Sequence, residues 1–397
     1  MADHEEPPTI QLGFCEPIDD ISVIAHRQAD WNSWDGGQVG GKPSWLNPRD
    51  LPSAPLTCRS CSTNLSFLCQ LYAPGDTEEA FHRSLYAFAC PSPSCLQDTE
   101  GSVRILRAQL PADNSFYPPP NDPVDPNWNL HSPEQHGVHL CQVCGQKSKG
   151  KCPIQGLHFC GREHQKEYKK HKDAEWLPSR LACHELVVEE EPPPCAETTE
   201  EDRDALWDHE DDDSDEDLEQ DDLNAMTGAK HTTQQDGVTA EFYARINRKD
   251  AQQQCLRYAK WRPNAELWIR SDFQPQRIPH CSCGAPRTFE CQIMPQMLSF
   301  LLQDRRSSVG PNALAKQALM AAASIVEQSP PEQVPPMLKE RQEQSLANIQ
   351  TNLLKSELDW GTICIYTCTA SCQGETVDGE ELGAYREEYA WKQPPLE

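Results

Sequence analysis

Cysteine placement constrains this chain more than any other feature. Trp45 precedes Cys58 by 13 residues, and Trp268 precedes Cys281 by 13. A C-x-x-C (Cys58, Cys61) follows in the first case and a C-x-C (Cys281, Cys283) in the second. Nine residues past the second cysteine of each pair stands a glutamine, Gln70 in FLCQLYAP and Gln292 in FECQIMPQ. Phe67 and Cys69 are matched at the same offsets by Phe289 and Cys291. Each half then closes on a β-like run that ends in another pair: RSLYAFACPSPSC with Cys90 and Cys95, and GTICIYTCTASC with Cys368 and Cys372. Agreement at so many fixed offsets reads as an internal duplication.

The runs SFLCQLYA and TICIYTC are short, apolar, aromatic or β-branched, and bounded by Gly, Pro or Ser, as strands are. Knuckle-like turns at their ends can converge two cysteine pairs on one cation. The expected sets are Cys58, Cys61, Cys90, Cys95 and Cys281, Cys283, Cys368, Cys372. Four thiolates make a closed tetrahedral zinc site with no position left for water or substrate, so these zincs are expected to be structural. Their binding energy is folding energy, on the order of 10 kcal/mol in small metal-dependent domains. The nineteen cysteines suit zinc better than disulfides, because MADHEEPPTIQLG lacks the basic start and apolar core of a secretory leader. No run approaches the roughly 18 apolar residues of a membrane span.

Other cysteines read differently. Cys69, Cys291 and Cys364 lie inside apolar runs and are expected to be small buried hydrophobes. Cys15, Cys183, Cys195 and Cys255 receive no role. Met294, Met297 and Leu298 in QIMPQMLSFLL read as a core turn leading into a helix. Trp45, Gln70, Trp268 and Gln292 read as structural markers of each half.

Between the halves lies CQVCGQKSKGKCPIQGLHFCGREHQKEYKKH, from Cys141 to His171. Cys141, Cys144, Cys160 and His164 are four ligands of types that zinc accepts. With the KEYKKHK helix and His171 the stretch resembles a MYND finger, whose pairs bind two zincs in cross-braced order. On that pattern the first site is complete. The second keeps Cys152 and His171 but has Gln155 and Glu175 at its other positions. About three zincs are therefore expected in the whole chain.

The formal charge of −27, 34 prolines and a mean hydropathy of −0.71 indicate folded parts joined by disordered ones. From Glu185 to Asp222 there are 20 acidic residues and one basic, a net of −19, which leaves −8 for the rest. Such a run cannot bury enough apolar surface to offset its ordering entropy, so 185–235 reads as an acidic disordered linker. Residues 304–357 are an insertion that the first half lacks, with two helical patterns, NALAKQALMAAASIV and KERQEQSLANIQTNLLKSEL.

The expected domains are thus an N-terminal zinc-containing β half at 1–130, the finger at 138–184, the linker at 185–235 and a C-terminal zinc-containing β half at 240–397. The fold class is β-rich α+β, with two duplicated zinc-stabilised halves packed together, because neither short sheet can bury both faces alone. A groove between them is the expected place for a bound protein.

Long stretches resemble the programmed cell death protein 2 family. They are LGF (12–14), VGGKPSWL (39–46), CRSCSTNLSFLCQLYAP (58–74), AFHRSLYAFAC (80–90), RAQLP (107–111) and the finger. FYARI (242–246), QCLRY (254–258), PHCSCGAPR (279–287), QIMPQMLSFL (292–301), DWGTICIYTCTASC (359–372) and EEYAWKQ (387–393) continue the match. The resemblance implies a dedicated chaperone in 40S ribosome biogenesis, similar to a yeast factor for small-subunit ribosomal RNA maturation. Its client is a ribosomal protein of the universal S-five family (uS5/S2), bound as it is made. Cytoplasm and nucleus are the implied compartments. An acidic escort suits such a client, since basic ribosomal proteins bind RNA nonspecifically through counterion release.

The alternative is a nuclear MYND-finger adaptor in transcriptional regulation. Direct nucleic-acid binding is not expected: Lys166, Lys169, Lys170, His171 and Lys172 form a basic helix, but a −19 tract follows and no wider basic face interleaves aromatics. Nor is catalysis, membrane association or self-association expected. No phosphate-binding loop, open zinc site or Cys–His nucleophile spacing is present.

Overall fold

The computed structural model describes residues 9–17, 37–117, 132–153, 156–170, 181–191, 237–246, 253–302, 358–373 and 382–395. Residues 192–235 of the acidic linker, the insertion at 304–357, Gln155, His171 and Glu175 lie outside them.

The first group of strands is β1 (Gln11–Pro17), β2 (Gly37–Val39), β3 (Ser66–Tyr72), β4 (His82–Ala89) and β5 (Val103–Leu110). The finger contributes β6 (Gly150–Lys151), β7 (His158–Phe159) and helix α1 (Arg162–Lys170). Then come β8 (His184–Glu190), α2 (Gly237–Ile246), β9 (Gln254–Tyr258), β10 (Arg287–Ile293), α3 (Met297–Leu301), β11 (Thr362–Cys368) and β12 (Tyr385–Gln393). Ten strands close a barrel in the order β1-β8-β2-β3-β4-β5-β12-β11-β10-β9, and β6 and β7 pair apart. Every pairing in the barrel is antiparallel.

That ring is unchanged when β1–β5 are exchanged one for one with β8–β12. The registers agree as well. Phe67 faces Phe88 and Cys69 faces Ala87, with a bulge between; Phe289 faces Tyr366 and Cys291 faces Ile365, with a bulge at the same place. The β-rich expectation therefore holds, but the two halves do not pack as separate sheets over a groove. They share edges, β5 with β12 and β1 with β8 and β9, so one continuous ladder runs across both junctions. Closure leaves no open sheet edge in the ring.

A second correction concerns β8. The stretch HELVVEE, placed at the start of the acidic linker, is a barrel strand between β1 and β2. Leu186 is buried there while Glu189 and Glu190 stay exposed. The last three residues, Val188 to Glu190, are exposed on both faces, so charge and strand coexist. Glu191, just beyond it, accepts from Arg257 at 2.7 Å and Arg245 at 3.1 Å.

The barrel interior is filled by Val39, Leu68, Leu71, Leu85, Ile105, Leu256, Ile293, Ile363 and Ile365, together with Cys15, Cys69, Cys255 and Cys291. Outside, Trp45 and Leu46 pack with Tyr86, Phe88 and Tyr385. Because β4 and β5 are covered on both faces, they read as near-continuous buried runs. Trp45 reaches this place because Gly40 and Gly41 turn the chain with φ of +68° and +74°. A Cβ on Gly40 would lie 1.7 Å from the Ala182 carbonyl oxygen, which excludes any other residue. α3 carries buried Met297 and Leu298, as expected for a core helix.

Candidate metal centres

The structure brings all twelve expected ligands of the three complete sets together in the expected groups. Within each set the four ligand atoms lie within 4.8 Å of one another. In the first, Cys58 and Cys61 precede β3, and Cys90 and Cys95 follow β4. Their sulfurs stand 3.7 Å (Cys58–Cys95) and 3.4 Å (Cys61–Cys90) apart. In the set beside β10 and β11, Cys281–Cys372 is 3.4 Å and Cys283–Cys368 is 3.6 Å. In the finger, Cys144–Cys160 is 3.7 Å, and His164 Nδ1 stands 3.0 Å from Cys160 Sγ and 3.6 Å from Cys141 Sγ.

These spacings fit a cation. A tetrahedron with metal–sulfur arms of about 2.3 Å has edges of roughly 3.8 Å. The four donors of each set are close enough to share one ion, and none of these cysteines is in a disulfide. The donors, all thiol or imidazole, suit zinc among the common divalent ions.

One local device builds all three sites. The residue after the leading pair takes a left-handed conformation: Ser62 at +61°, Gly145 at +68°, Gly284 at +89°. Its amide bonds back to the carbonyl of the first cysteine, at 2.9, 3.0 and 2.8 Å respectively. The turn folds both sulfurs to one side, and the C-x-C spacing proves compatible with it.

The electrostatics favour thiolate at one sulfur in each set. Hydrogen bonds from the Thr63 side chain and backbone bring Cys61 down to about 6. Hydrogen bonds from Cys144 and Cys160 hold Cys141 well below the usual thiol range. Burial opposes ionisation of Cys281, but the Cys283 amide and the neighbouring thiols bring it to about 7. Burial disfavours charge on His164, yet hydrogen bonds with Cys141 and Cys160 raise it to about 10.

Of the weaker second finger set, Cys152 is buried and accepts from Gln165 Nε2 at 3.0 Å, whereas His171 lies outside the described residues. Cys69 and Cys291 are buried in the barrel interior, and Cys364 in a separate cluster with Phe289 and Tyr366, all as small hydrophobes. What sequence reasoning missed is a contact between Cys15 and Cys255, whose sulfurs are 3.1 Å apart. Nothing in their spacing signals it, since β1 and β9 are joined only by barrel closure.

The finger is anchored to the first half. Trp45 Nε1 donates to the Gly145 carbonyl at 2.8 Å, and the Leu56 amide donates to Gln146 Oε1 at 2.7 Å. The marker glutamines hold the segments that carry the tryptophans. Gln70 Oε1 accepts from the Ser44 amide at 2.9 Å, and Gln292 Oε1 from the Leu267 amide at 3.0 Å, in each case the residue before the tryptophan.

Comparison with known proteins agrees with this layout. The profile for "Programmed cell death protein 2, N-terminal domain" matches residues 9–124, and that for "Programmed cell death protein 2, C-terminal putative domain" matches 236–394. A Bos taurus "Programmed cell death protein 2" is 31% identical over 380 residues, covering 90% of each chain. The chain belongs to the programmed cell death protein 2 family. A Rattus norvegicus relative of the same name is 29% identical over 414 residues, covering 98% of each chain. A Mus musculus "Programmed cell death protein 2-like" is 33% identical over 78 residues, covering 20% of this chain and 21% of its own. No solved structure matches. The two outer clusters fall inside the family's two matched segments, and the finger and β8 fall between them.

Proposed function

We propose that this protein is a non-catalytic escort of a basic small-subunit ribosomal protein of the S-five family, acting in cytoplasm and nucleus. The observation that carries the reading is its charge distribution: a −19 stretch from Glu185 to Asp222 that begins in barrel strand β8, against −8 for the other 359 residues. Carboxylates in such a run attract Lys- and Arg-rich segments and compete with RNA for them. The barrel supplies a rigid surface for shape-specific binding. Its two halves are read as products of one duplication, supported by the exchangeable strand order and the matching bulges.

The three clusters are read as structural zinc sites. Each has four protein donors, which leaves no coordination position for a reaction. The finger is read as a MYND type with one ion. Zinc would hold the knuckles; the side chains around them set their orientation.

The test is capture of the newly synthesised S-five protein in a translation extract by the full chain, with an unrelated basic protein as control. The expected result is selective retention of the client. Deletion of 192–222 should weaken retention about tenfold or more at low salt and flatten its salt dependence. Equal retention of both basic proteins, or of neither, would overturn the escort reading.

A further inference from the structure

The two outer clusters sit at opposite ends of the β5–β12 junction, and each is held by a strand of the other half. The register identifies equivalent positions: Cys69, Ala87 and Ile105 lie across three strands, as do Cys291, Ile365 and Ala390. Two residues beyond Ile105 and Ala390 stand Arg107 and Lys392, the equivalent cations of the two halves.

Arg107 belongs to β5 in the first half, but its Nη2 donates at 2.9 Å to the carbonyl of Cys372, the last ligand of the second half's cluster. Gln109, also on β5, donates to the Ser371 carbonyl at 2.7 Å. Lys392 belongs to β12 in the second half, but its Nζ donates at 2.7 Å to the carbonyl of Cys95, the last ligand of the first half's cluster. Its amide also donates to the Thr99 carbonyl at 2.8 Å. Around them, Glu388 joins Arg107 at 2.6 Å to Arg287 at 2.9 Å. Glu387 of β12 pairs with Arg104 and with Arg59, which lies between Cys58 and Cys61. Arg107 and Lys392 are almost wholly buried, so their hydrogen bonds are not exchanged for water.

We propose that Arg107 and Lys392 form a reciprocal clamp in which each half of the barrel positions the metal knuckle of the other, coupling the two outer metal sites across the junction. This rests on the reading that both clusters hold an ion. A buried cation on the ligand's own carbonyl fixes the backbone that aims the last sulfur. Removing it frees that knuckle while leaving the four sulfurs in place. Both residues are positioning residues, and neither touches the metal.

The experiment uses the full zinc-loaded chain, a chelator to draw zinc out, and alkylation with mass spectrometry to report which cysteines become reactive. Lys392→Met should speed alkylation of Cys58, Cys61, Cys90 and Cys95 about tenfold or more, the size expected for a lost charged hydrogen bond. Cys281, Cys283, Cys368 and Cys372 should change far less. Arg107→Met should give the opposite pattern. Lys392→Arg and Arg107→Lys keep a cation and the fold, and should show the same crossed pattern in weaker form even where the methionine variants fail to fold. Loosening of the cluster in the variant's own half, equal loosening of both, or no change in a zinc-loaded protein overturns the clamp alone. Wild-type protein without zinc at these sites overturns the metal reading and the clamp with it.

Discussion

Gln292 shows what one buried side chain contributes here. It accepts from the Leu267 amide and donates to the Leu267 carbonyl and to Thr362, at zero exposure. Gln292→Leu leaves a buried amide and carbonyl without partners, a cost of about 1–3 kcal/mol readable in urea unfolding. A neutral result would show that the Trp268 segment is held by other contacts. Both glutamines were legible in the sequence as fixed-offset markers, because their spacing from the cysteines repeats. Glu290 was not. A single glutamate in a β-like run reads as surface, yet it occupies the bulge position that Leu68 fills in the other half. There it meets Arg83 across the interior at 2.5 and 2.7 Å and also accepts from Tyr258 and Thr367. Burial alone would raise its carboxyl; Arg83 outweighs that and holds it below the usual range. A depressed carboxyl contributes stability above its unfolded value, near 4.3, and loses it as pH falls through the folded value. Glu290→Gln should therefore destabilise at pH 7, by about 3–5 kcal/mol for a broken buried pair, and reduce the acid-side slope of stability. An unchanged slope would place the acid sensitivity in other groups.

At the scale of elements, β8 separates composition from structure. Averaged over 185–222, the charge argues against any strand, because one composition was assigned to segments with different roles. The packing of Leu186 carries the strand: it lies over Gly13 and Gly37, where an added Cβ would come within 3.0 and 2.4 Å of it. Leu186→Ala should cost about 2–5 kcal/mol by opening a cavity at the barrel's closing strand. Glu189→Gln on the exposed face should change stability by about 0.5 kcal/mol or less. Equal, small effects in thermal unfolding would return this stretch to the linker. Strands β3, β4 and β11 were legible because their runs are apolar, aromatic or β-branched and lie next to cysteine turns. The short β2 and the Cys15–Cys255 contact were not, since closure between distant segments leaves no local pattern.

For the whole molecule, the halves are joined by strands rather than by a face-to-face interface, and three knuckles sit around one barrel. The residues of the three clusters were legible as groups because Cys and His recur there at short fixed spacings, and the structure brings each group together. Spacing did not anticipate closure, which depends on how ten edges meet. Among the described residues no helix is long and apolar enough to cross a membrane. The most direct test of this architecture is zinc content by elemental analysis of the purified chain, alone and as Cys281→Ala/Cys283→Ala. The expected result is about three ions per chain falling to two, one for each four-donor cluster. Two or fewer in the unmodified protein would contradict it, since at least one four-donor cluster would then hold its fold without metal.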